Sequence, residues 1–337
     1  MAIVMTGGGT GGHLVIIKAL KEYLKDEELI YIGSTMGQDQ AWFENDSDFK
    51  ERYFLNTRGV VNQKFFGKIV SLWLLLKATI RSYIILKKQK ARVVFCVGGF
   101  SAAPTSIAAL LAGTPLVIHE QNALSGALNR RLKKYARYFI SSYDPQSPIQ
   151  SYPIKEEFFE SARARSEIKK IIFLGGSQGA KAINKLAIKL APWLKEQGIS
   201  IVHQAGEKNI KSVQKEYKKQ GIEAEVFGFT KEIARYMSES DLAIARSGAS
   251  TLWELSATGL PAIFIPFPYA AGDHQYYNAK FLAKKDLAWV IRERDLKVKK
   301  IKEIILNADI EQKSRGLLEI IKKDGAQEIA KIIKSVQ

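Results

Sequence analysis

"TGGGTGGHL", residues 6–14, directly follows the apolar run Ala2-Ile3-Val4-Met5, and its Gly7, Gly9 and Gly12 satisfy the spacing G-x-G-x-x-G. A short apolar strand that ends in a glycine-rich turn and passes into a helical pattern is how a parallel α/β sheet begins. Glycine permits the tight turn and lets backbone N–H groups approach a phosphate. The same order recurs along the chain. Candidate strands lie at 2–5, 29–32, 93–97, 115–118 and 138–141, then at 170–174, 199–203, 224–227, 241–245, 261–265 and 288–291. Strands alternating with longer helical patterns predict an α/β fold with doubly wound parallel sheets.

The two halves echo each other. "GGTGG" at 8–12 returns as "GGSQG" at 175–179, and "AGTPLVIHEQN" at 112–122 as "ATGLPAIFIPFP" at 257–268, each after or before a strand in the same place. Two copies of one Rossmann-like plan would read this way. Between them "SSYDPQSPIQSYPIKEEF" carries three prolines and many polar residues, which marks a linker. The expected domains are therefore 1–152 and 153–315, followed by a helical segment, 316–337, that can pack back on the first domain.

A dinucleotide site needs more than glycines: an acid at the end of the second strand must hold the ribose. Here that strand runs into Gly33-Ser34-Thr35-Met36, and the acids Asp26 to Glu28 precede it, at the wrong end of the sheet. The fingerprint is met by letter and not by chemistry. Neither glycine loop contains the G-x-x-x-x-G-K-[ST] of a P-loop.

The chain has 337 residues, 46% of them apolar, enough for two cores, and 51 Lys and Arg against 34 Asp and Glu give a net charge of +17. Such charge suits nucleic acid, an anionic membrane or an anionic substrate, so its position must decide. The stretch "KFFGKIVSLWLLLKATIRSYIILKKQK" at 64–90 has more apolar residues than one buried face requires, with Trp73 at its centre and Lys68, Lys77, Arg81, Lys87 and Lys88 set among them. Its longest charge-free run, 69–76, is short of the roughly 20 residues needed to span a bilayer, so it reads as an element lying in the interface of an anionic membrane. Leu and Ile dominate it rather than interleaved aromatics, which counts against nucleic acid. Cys96, in an apolar run, reads as a small buried hydrophobe, and one cysteine makes no internal disulfide. The first residues lack the pattern of a signal peptide. A cytoplasmic location is expected.

Polar residues at strand ends are the site candidates. His13, at the first helical turn, can take a proton from an attacking hydroxyl or simply hydrogen-bond its own backbone. Glu120 and Asn122 can cap their loop or touch a ligand. In "IARSGASTLWEL" at 244–255, Ser247, Gly248 and Ala249 can bring backbone donors to a diphosphate and Arg246 can add charge. Glu254, one turn on, can accept from two ribose hydroxyls or stand as an exposed helix glutamate. One D-x-D match, Asp46-Ser47-Asp48, lies outside the strand-end loops and reads poorly as a metal site.

Taken together, "GGGTGGH", "GGFSAAP", "HEQN", "GGSQGA", "RSGASTLWE" and "DHQYYNA", spread over residues 7–279, resemble the MurG family of bacterial glycosyltransferases, family 28. The resemblance implies a GT-B fold, in which two Rossmann-like domains face a cleft. It implies inverting transfer of N-acetylglucosamine from UDP-GlcNAc to the C4 hydroxyl of MurNAc in undecaprenyl-linked lipid I, giving lipid II of peptidoglycan. It further implies a peripheral enzyme on the cytoplasmic face of the plasma membrane, with an anionic membrane surface and cell-wall synthesis proteins as partners and no nucleic acid. Transfer to another lipid acceptor, such as diacylglycerol, is the alternative. By the same resemblance Thr10, Gly11, Gly12 and His13 meet the donor or the acceptor pyrophosphate, with His13 the base. Asn122, Ser177 and Gln178 match donor-contact positions, and Phe229 and Thr230 the pair that flanks uracil. Ala249, Ser250, Thr251, Leu252, Trp253 and Glu254 match the diphosphate and ribose segment, and Gln275 the residue on the sugar. Lys155 stands where the family has an arginine, keeping the charge without the planar fork. Tyr276 replaces a second glutamine, and Phe100 a tyrosine. The scheme requires no cofactor and no metal.

Overall fold

The computed structural model describes residues 1–59, 65–176 and 178–336, which divide into two compact units: Met1–Ile154 with Asp324–Gln337, and Lys155–Lys323. In the first unit β1 (Ile3–Thr6), α1 (Gly11–Lys21), β2 (Leu29–Ser34), α2 (Asp39–Phe43), β3 (Glu51–Leu55), α3 (Phe65–Lys88), β4 (Val93–Cys96), α4 (Ala103–Ala112), β5 (Leu116–Glu120), α5 (Ala127–Leu132) and β6 (Tyr138–Ser141) follow in order. The strands form one parallel sheet, ordered β3-β2-β1-β4-β5-β6. β1, β2, β4 and β5 are buried on both faces, as covered parallel strands are.

The second unit repeats the plan. It contains α6 (Glu156–Glu160), β7 (Lys170–Leu174), α7 (Lys181–Glu196), β8 (Ser200–Gln204), α8 (Ile210–Lys219), β9 (Glu225–Phe227), α9 (Ile233–Glu239), β10 (Leu242–Ala245), α10 (Ala249–Ala257), β11 (Ala262–Phe264), α11 (His274–Ala283), β12 (Trp289–Val290), α12 (Val298–Asn307) and α13 (Ile310–Ile320). Its sheet runs β12-β11-β10-β7-β8-β9. Counted within each unit, both orders are 3-2-1-4-5-6, the doubly wound arrangement whose strand order reverses between the first and fourth strands. The echoed segments 112–122 and 257–268 carry the fifth strand of each sheet, β5 and β11, so the sequence repeat is a structural one.

Two expectations change in detail. The strand "ERYFL" was not foreseen; it opens on two charged residues, pairs only with β2 and leaves its residues half-exposed, so it lacks the apolar run of a central strand. The border falls at 154/155 rather than 152/153, and the segment expected at 316–337 is divided. Residue 316 lies inside α13, which stays with the second unit through the buried Leu317 and the Ser314 hydroxyl that donates to the Gly259 carbonyl at 2.6 Å. The last helix, α14 (Gly325–Ser335), joins the first unit against α1, its first residue pressed on the Ser151 and Tyr152 carbonyls where a Cβ would sit 2.8 Å from each.

In the second unit one buried charge ties the ends of two helices that precede the site. Arg165, 2% exposed, donates to the carbonyls of Ser240 (2.8 Å), Met237 (2.9 Å), Arg163 (2.7 Å) and Thr258. Those of Met237, Ser240 and Thr258 end α9 and α10, and a cation is favoured there. Arg165→Met, which removes four hydrogen bonds donated by a buried cation, is expected to cost the second unit roughly 3–5 kcal/mol, read as a lower urea midpoint.

Candidate functional site

In both sheets the carboxyl ends of the first and fourth strands meet at the order reversal, and the glycine loops lie there. After β1, Gly7 (φ +118°) leaves no room for a side chain, since a Cβ would lie 2.6 Å from the Gly98 carbonyl and 2.7 Å from Val97. The Gly8 N–H donates to Gly98 at 3.1 Å, and the Tyr31 hydroxyl donates to the Gly7 carbonyl at 3.0 Å. Sequence reasoning missed Asp39. This fully buried carboxylate accepts from the Gly9 N–H and from the Ser34 N–H at 2.9 Å. It stands five residues past β2, beyond the stretch searched for a ribose acid, and the glycine loop itself takes it up. The amides of Gly8 and Gly9 are thus spent within the protein, and the loop offers a ligand only its exposed end, Thr10 to His13.

His13 is half-buried in the first turn of α1, with Nδ1 2.9 Å from Thr10 Oγ1 and Nε2 2.9 Å from Gln121 Nε2. The motif "HEQN" therefore meets the first glycine loop through Gln121, a residue the sequence reading quoted and passed over. Glu120 is the capping residue of the motif: 2% exposed, it accepts from the N–H groups of Asn122 and Gly126 and from the Asn129 amide, each at 3.0 Å. Burial pushes its carboxyl up and those bonds pull it back. His119 is fully buried, and burial, helped by charge on His13, pushes its imidazole down to about 3, so it stays neutral.

In the second unit, Gly176 (φ +74°) has open space around it, and its N–H donates to Gln204 Oε1 at 3.1 Å. Gln178 is exposed; Ser177 lies outside the described residues. Phe229 is 62% exposed, its N–H held by Glu207 Oε1 at 2.6 Å, while the Thr230 hydroxyl accepts from the Glu232 N–H at 3.0 Å.

Helix α10 begins at Ala249 after Gly248, where nothing approaches within 4 Å of the place a Cβ would occupy. Ser250, Thr251 and Glu254 form the partly buried side of its first turns. Leu252 and Trp253 are core residues, at most 1% exposed, so they can meet a ligand only through their backbone. Ser247 is buried and donates to the Gln275 carbonyl at 2.8 Å, and Gln275 Oε1 accepts from the Phe267 N–H at 2.9 Å. Arg246 differs from the expectation. Its guanidinium donates to the carbonyls of Ile265 (2.9 Å) and Pro266 (3.0 Å), pairs with Glu293 at 2.7 Å and stacks over Phe267. With these acceptors it holds the 265–267 turn rather than pointing a free charge at a ligand.

Burial, then repulsion from Glu157, pushes the Glu254 carboxyl up to about 7, with Lys155 opposing. Lys155 itself pairs with Glu157 at 3.1 Å, so the chain groups the lysine that replaces the family arginine with the ribose candidate. Asp46 and Asp48 of the D-x-D match both grip Lys21. Among the described residues no group of three or more His, Cys, Asp or Glu side chains could hold a metal ion.

The segment 65–88 is one continuous helix. Ser71, Ala78, Thr79, Ser82, Ile85 and Leu86 are buried along one side, which packs on α4, with the Ser82 and Thr105 hydroxyls 3.2 Å apart. Ile69, Leu72, Trp73, Leu76, Ile80 and Ile84 are each about half or more exposed on the other side, beside the exposed Lys77 and Arg81. Gly67–Lys88 is long and apolar enough by length and composition to cross a bilayer. The charge-free run of 69–76 understated it, because two isolated cations do not interrupt the helix.

The comparisons agree with this architecture. Residues 3–140 match the glycosyltransferase family 28 N-terminal domain, and residues 170–336 the glycosyltransferase family 28 C-terminal domain. A Sulfurovum sp. (strain NBC37-1) protein named UDP-N-acetylglucosamine–N-acetylmuramyl-(pentapeptide) pyrophosphoryl-undecaprenol N-acetylglucosamine transferase is 64% identical over 335 residues, 99% of each chain. One of the same name from Wolinella succinogenes is 52% identical over 99% of this chain and the whole of its own. The crystal structure of Acinetobacter baumannii MurG superposes with a TM-score of 0.81 at 26% identity, covering 99% of both chains. The two units therefore carry the GT-B fold, and the chain belongs to glycosyltransferase family 28.

Proposed function

We propose that this enzyme transfers N-acetylglucosamine from UDP-GlcNAc to the C4 hydroxyl of MurNAc in lipid I, forming lipid II with inversion at the anomeric carbon. The observation that carries the reading is the start of α10. Its open first turn offers backbone N–H groups and the positive end of a helix dipole to a diphosphate. Glu254 follows in the next turn, where its carboxylate can accept from ribose hydroxyls, and the full-length relatives are named as transferases that use UDP-N-acetylglucosamine.

His13 supplies the base. It removes the acceptor proton as the hydroxyl oxygen bonds the anomeric carbon, and the diphosphate leaves with its electron pair. The developing negative charge falls on the preorganised amides of residues 249–251, with no loss of reorganisation energy. The exposed ring of Phe229 can lie against uracil, Lys155, Gln178 and Asn122 meet the donor, and Gln275 reaches the sugar. The exposed end of the first glycine loop, Thr10 to Gly12, takes the acceptor's pyrophosphate.

The lipid-linked acceptor explains the second apolar side of α3. Its hydrocarbon side chains lie at the level of the acyl chains while Lys77 and Arg81 meet anionic headgroups on the cytoplasmic face of the plasma membrane. Its other side stays packed on α4, so the helix rests in the interface. Lys133 and Lys134, with Arg130 and Arg131, extend the basic surface.

The direct test is radiolabel transfer from UDP-GlcNAc to lipid I, with diacylglycerol as the competing acceptor; product on diacylglycerol alone overturns the acceptor. His13→Ala should lower turnover roughly 10²–10⁴-fold with donor affinity unchanged, and near-native rates would remove it as the base. Ribose hydroxyls donate to an ionised carboxylate, so UDP affinity should rise up to roughly tenfold between about pH 6 and pH 8 as Glu254 ionises. Calorimetric titration of Glu254→Gln should show weaker binding and lose that slope. Lys77→Glu with Arg81→Glu should weaken sedimentation with anionic vesicles more than tenfold, at about 1 kcal/mol per basic residue, and leave binding to neutral vesicles unchanged.

A further inference from the structure

Gln121 faces the imidazole of His13 from the loop after β5, and the two form a geometry that decides which nitrogen can act. A neutral imidazole has one N–H and one lone pair, and its partners choose between them. Here Nδ1 meets Thr10 Oγ1 and Nε2 meets the Gln121 amide, each at 2.9 Å. With the amide nitrogen on Nε2, the imidazole proton lies on Nδ1 and is donated to Thr10. A half-turn of the Gln121 amide places Oε1 on Nε2 instead, which puts the proton on Nε2 and the lone pair on Nδ1.

Burial separates the two settings. Thr10 is exposed and Gln121 is 7% exposed, so a hydroxyl arriving from solvent displaces Thr10 and meets Nδ1. Gln121 Oε1 is buried with no hydrogen-bond partner when the amide nitrogen faces the ring, an uncommon state for a carbonyl oxygen, and the half-turn gives it the Nε2–H as partner. Of the titratable groups on elements around this edge, His119 on β5 stays neutral. Glu120 is tied to Asn122, Gly126 and Asn129, and Asp39 on α2 to Gly9 and Ser34.

We propose that Gln121 is a positioning residue for His13: its amide oxygen on Nε2 fixes the tautomer in which Nδ1 takes the acceptor's proton, and it then holds the imidazolium. This rests on the reading of His13 as the base. In the step the acceptor O–H breaks as its oxygen bonds the anomeric carbon. The bond to the diphosphate breaks with its electron pair leaving on UDP, and the proton ends on Nδ1. The amide oxygen accepts from Nε2–H before and after, so no partner is lost as charge appears.

The experiment combines nitrogen NMR of the ¹⁵N-histidine-labelled full-length protein, with His13 assigned through His13→Asn, and the pH profile of kcat/KM. In the native protein the Nε2–H tautomer should dominate. Gln121→Glu should keep that tautomer, raise the His13 pKa by at least one unit and carry the acid limb of the profile up by the same amount. Gln121→Met should mix the tautomers and lower kcat at least tenfold, with the donor KM within twofold. A native Nδ1–H tautomer, or a His13 pKa unmoved in Gln121→Glu, overturns the proposal. A His13 pKa that moves in Gln121→Glu while the acid limb stays still shows that Gln121 governs His13 but that His13 is not the base.

Discussion

Everything at the first sheet's carboxyl edge depends on how closely two backbones approach after β1 and β4. A Cβ on Gly7 would run into the Gly98 carbonyl and one on Gly99 into the Gly8 carbonyl. Such contact is affordable only for glycine, and it leaves the loop's amides facing inward. The carboxylate of Asp39 takes the Gly9 N–H that would otherwise be buried without a partner. The consequence is a rigid stem from which α1 starts in one place, and with it His13. The inner glycines of the loop, which look like an anion cradle by letter, serve here to mount an imidazole, and only the outer end of the loop is left to a ligand.

The positive charge separates by role in the same way. Arg165 is consumed in helix ends, Lys21 in two aspartates, and Arg246 in a turn and a glutamate. Each of these is engaged by protein acceptors. Lys77 and Arg81 are exposed on a helix side whose neighbours are hydrocarbon, the setting that the proposed contact with a lipid surface would use. The bulk excess of 51 basic over 34 acidic residues therefore says less than the positions at which the exposed cations stand.

How much was legible follows from what kind of signal each feature leaves. β1 and β7, buried on both faces, announce themselves as apolar runs, and the glycine loops after them as glycine; the doubled α/β plan could be read directly. β3 could not, because an edge strand half in water is under little pressure to be apolar. Asp39 and Gln121 were invisible for a different reason: each acts across a distance of tens of residues, on Gly9 and His13, and nothing in their local sequence marks it. The partners of Arg246 were not legible because a motif records which residue is present and not which way its guanidinium is turned.

That last point bears on how a leaving diphosphate is met. A guanidinium free to swing toward the phosphate would have to be reoriented as charge develops, whereas helix amides are already aimed. In this chain the arginine is locked by two carbonyls, a carboxylate and the Phe267 ring, and the residues after it are Ser247, Gly248 and Ala249, small enough to leave the helix start open. Ser247 spends its hydroxyl on the Gln275 carbonyl, so the turn before α10 and the start of α11 are fixed together. On the proposed reading the smallness of the run matters more than its chemistry: side chains are withdrawn so that the backbone is left open to a diphosphate.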